Sequence, residues 1–130
     1  MPSPADRRYT KEHEWVRVED DLGTIGITDY AQDQLGDIVY VDLPSPGTPV
    51  KQLEKLGEIE SVKAVSDLYS PVSGEVAEVN QEVNDRPEVV NQSPYEDGWL
   101  LRVRLADPAE VESLLSAEQY DELIAQAQET

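Results

Sequence analysis

The 130 residues contain no cysteine, one histidine, one methionine and only four lysines against 28 aspartates and glutamates. The absence of cysteine excludes disulfides, thiolate zinc sites and cysteine nucleophiles. No apolar run approaches the length that spans a bilayer. The start, Met1-Pro-Ser-Pro-Ala-Asp-Arg-Arg8, lacks the apolar segment of a secretory signal and is too short for an amphipathic transit peptide. A cytoplasmic, bacterial-type chain is the expectation, with a mature organellar form as the other reading. With so few cations the formal charge is −18. Such a surface repels phosphates and anionic membranes and steers association toward basic faces, so neither nucleic acid nor a membrane is expected as a partner.

What is present is a series of short β-type runs. Residues 1–8, rich in proline and charge, read as a flexible tail, and residues 9–130 as one domain. Val39, Val41 and Leu43 alternate along a strand that stops before Pro44. Trp99, Leu101, Val103 and Leu105 alternate likewise, with Arg102 and Arg104 on the opposite face. Ile25 and Ile27, then Val76 and the region of Val79, give further strands. Many short strands at this spacing favour a sandwich or barrel. Asp29–Gly36 reads as a short helix capped by its aspartate and closed by glycine. Asp107-Pro-Ala-Glu110 is a helix start with cap, first-turn proline and capping-box glutamate, followed by Val111, Leu114 and Leu115. Ser116–Gln119 starts another, with Tyr120, Leu123, Ile124 and Ala127 at helical spacing. These C-terminal helices are expected on the outside of the sheets.

The run from Gly57 to Val76 carries the chemistry, because Lys63 lies at the centre of its first, strand-like part. Residues 58–69 are long for one strand. Dividing them at Val62-Lys63 gives two ordinary strands across a two-residue turn. Val-Lys lacks the Asn-Gly or Gly-X character that such turns prefer, so the residues alone leave both readings open. A lysine at a hairpin apex would be exposed on a flexible stem, which suits a covalent attachment point; otherwise it is an ordinary surface lysine.

The flanks resemble the lipoyl-lysine motif of the H proteins of the glycine cleavage system. The resemblance rests on Glu60-Ser-Val-Lys-Ala64, Ser66-Asp67, Ser70-Pro-Val-Ser-Gly-Glu-Val76 and Asn80. It extends through His13-Glu-Trp-Val16, Gly26-Ile-Thr-Asp-Tyr-Ala-Gln32, Leu35-Gly-Asp-Ile-Val39, Leu43-Pro44, Val90-Asn91, Ser93-Pro-Tyr95 and Gly98-Trp99. It covers about residues 9–125. Biotinyl domains typically flank their lysine with methionines, and the lipoyl domains of 2-oxo-acid dehydrogenases commonly place aspartate before it. This chain has Val62 and Ala64.

The resemblance implies a mainly β fold, a lipoyl/biotinyl-type hybrid barrel-sandwich of two small antiparallel sheets. It implies a carrier rather than an enzyme, with lipoic acid in amide linkage to Lys63. A pyridoxal-phosphate glycine decarboxylase would load the aminomethyl group, a tetrahydrofolate-dependent aminomethyltransferase would remove it, and the flavin enzyme dihydrolipoamide dehydrogenase would take the electrons. A lipoate ligase or lipoyl transferase would attach the group. A carrier entering several active sites is expected as a monomer. By the same resemblance Glu14 and Asp67 guard the cationic cargo; Glu12 departs from the family's usual small hydroxyl residue and could join them. Two other readings are a lipoate relay to the 2-oxo-acid dehydrogenases and an acidic adaptor with Lys63 unmodified. No metal site is expected: Glu12, His13 and Glu14, as strand neighbours, would point to opposite faces. A Ser66–Asp67–His13 triad lacks an oxyanion hole. His13 is expected as a packed or hydrogen-bonded strand residue.

Overall fold

Leu101, Val103 and Leu105 alternate with two arginines, and the computed structural model, which describes residues 3–129, places them on the inner face of a sheet. The strands are β1 (Arg8–Tyr9), β2 (Glu14–Glu19), β3 (Leu22–Ile27), β4 (Ile38–Asp42) and β5 (Pro49–Val50). They continue with β6 (Lys55–Ser61), β7 (Val65–Tyr69), β8 (Gly74–Val79) and β9 (Leu101–Leu105). All pairings are antiparallel. One sheet runs β1-β2-β3-β9-β8-β5 and the other β4-β6-β7. Val16, Ile25, Val76, Leu101 and Val103 from the first sheet bury against Val41, Ile59 and Leu68 from the second. This is the expected mainly β architecture of two antiparallel sheets.

The expected alternation of Val39 and Val41 does not hold. A bulge between Ile38 and Tyr40 shifts the register of β4 against β6. Ile38 and Val41 therefore face the core, while Val39 and Tyr40 are exposed. A bulge places one extra residue on one strand and turns the following side chains over. Trp99 likewise leaves the row of Leu101: it precedes β9, and the Arg102 guanidinium lies 4.1 Å from its ring centre.

The helices are α1 (Asp29–Leu35), α2 (Gln81–Asp85), α3 (Glu88–Gln92) and α4 (Ala117–Glu129), with a 3-10 turn over Pro108–Ser113. The cap of α1 is Thr28 rather than Asp29; its hydroxyl accepts from the Ala31 amide. Asp107 caps the 3-10 segment as expected, but Glu110 does not close a capping box. Its carboxylate accepts instead from the Ser73 amide and hydroxyl, each at 2.7 Å. Ser116 and Gln119 do form a reciprocal box at the head of α4.

Residues 3–8, part of the expected flexible tail over residues 1–8, lie against the body; residues 1 and 2 lie outside the described residues. Arg7 is buried between the rings of Trp15 and Tyr95, at 4.6 and 5.4 Å, and donates to the Tyr95 carbonyl. These aromatics belong to a second core of Tyr9, Trp15 and Tyr120, covered by Leu123 and Ile124 of α4.

Candidate functional site

The twelve-residue run divides at Lys63: β6 ends at Ser61, β7 begins at Val65, and Glu60 pairs with Val65 across the hairpin. The turn is not of the glycine-requiring kind, since neither Val62 nor Lys63 has positive φ. Ser61 supplies what the central residues lack. Its hydroxyl accepts from the Lys63 and Ala64 amides, both at 3.1 Å, while its own amide donates to the Ala64 carbonyl. Such local side-chain caps let serine hold turns that backbone propensity disfavours. A serine two residues before the lysine was the available sign of this hairpin.

Val62, Lys63, Ala64 and Val65 are all exposed. Behind them the α1–β4 connection supports the turn, with the Val62 amide donating to the Asp37 carbonyl at 3.0 Å. The Lys63 stem passes over Gly36, where an added β-carbon would stand 3.2 Å from Cε. Among the described residues Lys63 forms no ion pair, whereas Lys55, at the other end of β6, is held by Glu58 at 2.8 Å and Asp67 at 3.2 Å.

Along the strands from this apex lies a cavity of about 360 Å³, lined in part by Thr10, Glu12, Leu53, Tyr69 and Leu114. Glu14 sits behind two of those residues, 2% exposed. One carboxylate oxygen is 2.5 Å from the Thr10 hydroxyl and the other accepts from the Tyr69 amide at 3.2 Å. Burial pushes the Glu14 pKa up to about 7, against the lowering effect of the Thr10 and Tyr69 hydrogen bonds. Asp67 is different. It is on the exposed face of β7, ion-paired with Lys55, and meets the group through the Tyr69 hydroxyl at 3.5 Å. Tyr69 thus touches both carboxylates, and Thr10 holds the buried one. Neither stood out in the sequence, because nothing in their spacing marks a backbone amide as a partner.

His13 is hydrogen-bonded, though not within a strand. It occupies the left-handed region at φ 74° just before β2, and its Nδ1 lies 2.8 Å from the Tyr120 hydroxyl. Burial lowers its pKa, and the ring rests against Tyr30.

With this geometry in hand, comparison with known proteins is specific. The family model described as glycine cleavage H-protein matches residues 7–127. The chain is 53% identical over 126 residues to the glycine cleavage system H protein of Staphylococcus carnosus, covering 97% of this chain and 100% of that one. It is 56% identical to the corresponding protein of Symbiobacterium thermophilum, over 91% of this chain and 92% of that one. The crystal structure of such an H protein from Mycobacterium marinum superimposes with a TM-score of 0.88 at 40% identity, over 94% of this chain and 98% of that one.

Proposed function

The chain belongs to the glycine cleavage H-protein family, and from that premise we propose that Lys63 is the residue joined to lipoic acid through an amide. Its family makes the chain a lipoyl carrier of the glycine cleavage system. The proposed carrier has no catalytic site of its own and works in the cytoplasm. It presents Lys63 to the pyridoxal-phosphate decarboxylase, the folate-dependent aminomethyltransferase, the dihydrolipoamide dehydrogenase and the enzyme that attaches lipoate. When bound, lipoic acid supplies the dithiolane chemistry that a cysteine-free chain lacks.

The observation that carries this reading is the hairpin apex. Lys63 stands between exposed neighbours on a turn fixed by Ser61, and among the described residues no carboxylate pairs with it. The amine is free to be acylated, and the stiff strands below fix where the resulting arm is rooted. Intact and peptide mass spectrometry of the native protein tests it. One lipoyl adduct is expected on the peptide containing Lys63, and none in Lys63→Arg. Biotin at that position, or an unmodified chain from lipoate-replete cells, overturns the assignment.

Glu14, with Glu12 in the cavity wall and Asp67 reached through the Tyr69 hydroxyl, is the proposed shelter for a cationic amine. A carboxylate in a partly dehydrated site binds such a cation through a charge-assisted hydrogen bond. The approaching charge would in turn favour ionised Glu14, whose ordinary state here is poised near neutrality. Glu14→Ala is expected to release the aminomethyl group from the loaded carrier several-fold faster. Asp67→Ala should do so by less, because Asp67 is exposed and already paired. Release at the wild-type rate in both variants removes the guard role.

A further inference from the structure

The lysine hairpin is fixed from two sides, and the second support runs through a residue outside it. Asn91 lies on α3, whose Val89 and Val90 are buried in the main core. Its side-chain oxygen accepts from the Ile38 amide at 2.9 Å. Its amide nitrogen donates to the Gly36 carbonyl and to Gln32 Oε1, both at 2.9 Å. One side chain therefore ties together the last turn of α1, the Gly36–Asp37 connection and the first residue of β4. That connection touches the hairpin twice, through the Asp37 carbonyl on the Val62 amide and through Gly36 beneath the Lys63 stem. Gly36 has φ 81° and ψ −158°, a combination open essentially to glycine alone. Glycine adopts it without steric cost, and Asn91 binds the chain on both sides of it.

We infer that Asn91 is a positioning residue for Lys63: through Gly36 and Asp37 it sets where the lysine amine is offered to the enzyme that acylates it. The inference rests on Lys63 being the attachment residue. Presentation of a nucleophile is sensitive to small displacements, since misplacement by an ångström costs orders of magnitude in rate. Losing Asn91 removes the three hydrogen bonds that tie the connection to its flanks, so that the Asp37 and Gly36 contacts to the apex rest on a less firmly anchored segment.

The test uses the full apo chain as substrate for a lipoate protein ligase, with ATP and lipoate, well below the unfolding temperature. Asn91→Ala is expected to lower kcat/KM for lipoylation roughly tenfold. Asn91→Asp keeps size and the bond from the Ile38 amide but cannot donate to Gly36, and it should fall in the same direction. Gln92→Ala, on the same helix and exposed, should match wild type. Hydrogen exchange supplies a second readout: the Val62 amide should lose protection in both Asn91 variants while the Ile59 amide, in the core strand, keeps it. Unchanged kcat/KM and unchanged Val62 protection in variants that are merely less stable overturn the inference. Failure of the attachment reading looks different: the wild-type chain stays unmodified, or Lys63→Arg is modified equally.

Discussion

Replacing Glu14 by Gln is expected to stabilise the protein above pH 7 and to remove most of the pH dependence that this group imparts. The folded-state pKa, about 7, lies above the ordinary 4.5. The protonated form is therefore the one that folding favours. Its contribution is fully present below about pH 4.5 and is lost as the pH rises through 7. A separation of that size corresponds to about 3 kcal/mol. Glutamine reproduces the neutral acid's hydrogen bonds: its carbonyl accepts from the Tyr69 amide and its amide donates to the Thr10 hydroxyl. That hydroxyl already accepts from the Glu14 backbone amide and has room for one more donor. Urea unfolding of both chains between pH 4.5 and 8 measures the effect. The stability of Glu14→Gln relative to wild type should rise across this window by about 3 kcal/mol. Parallel profiles would mean that Glu14 is ionised in the folded state throughout. A buried carboxylate with a raised pKa is also the kind of group found at functional sites, in keeping with the proposed shelter role.

The contrast between Lys63 and Glu14 shows what a sequence carries. The hairpin that carries Lys63 was legible because its chain is local: strand, serine, lysine and strand follow one another, and the flanking pattern resembles that of the H proteins. The role of glutamate at 14 depends on burial and on an amide 55 residues away, and no period or spacing encodes that pairing. The same limit explains Val39, where a bulge reverses a face that alternation assigns, and Glu110, whose carboxylate finds Ser73 rather than its own helix start. It also explains Arg7. Charge and proline read as a tail, yet a planar guanidinium between two aromatic rings is a buried structural element. The strand-forming runs, the Asp107 cap and the helix start at Ser116 are local properties, and those the sequence did show.

Removing the Tyr120 hydroxyl should cost the fold a large share of its stability. The ring is fully buried and stacks on Tyr9 with centroids 4.8 Å apart and planes 10° from parallel. Its hydroxyl lies 2.6 Å from Thr28 Oγ1 and 2.8 Å from His13 Nδ1. Tyr120→Phe leaves both partners buried or half-buried with one bond fewer, at a cost of about 2 kcal/mol. Tyr120→Ala adds a cavity and loses the stack, for about 5 kcal/mol in all. For a chain of this length those changes lower the melting temperature by roughly 8 and 20 °C. The consequence reaches the site from both ends. Thr28 caps α1, whose far end is the Gly36 seat of Lys63, and His13 precedes Glu14. Hydrogen exchange at the Ala31 amide, which donates to Thr28, should accelerate in Tyr120→Phe before global unfolding. A double-mutant cycle with Thr28→Ala should show coupling of about 1 kcal/mol. Additive losses would mean that α4 braces the fold through its rings alone, and that the hydroxyl chain does not connect it to the helix beneath the lysine.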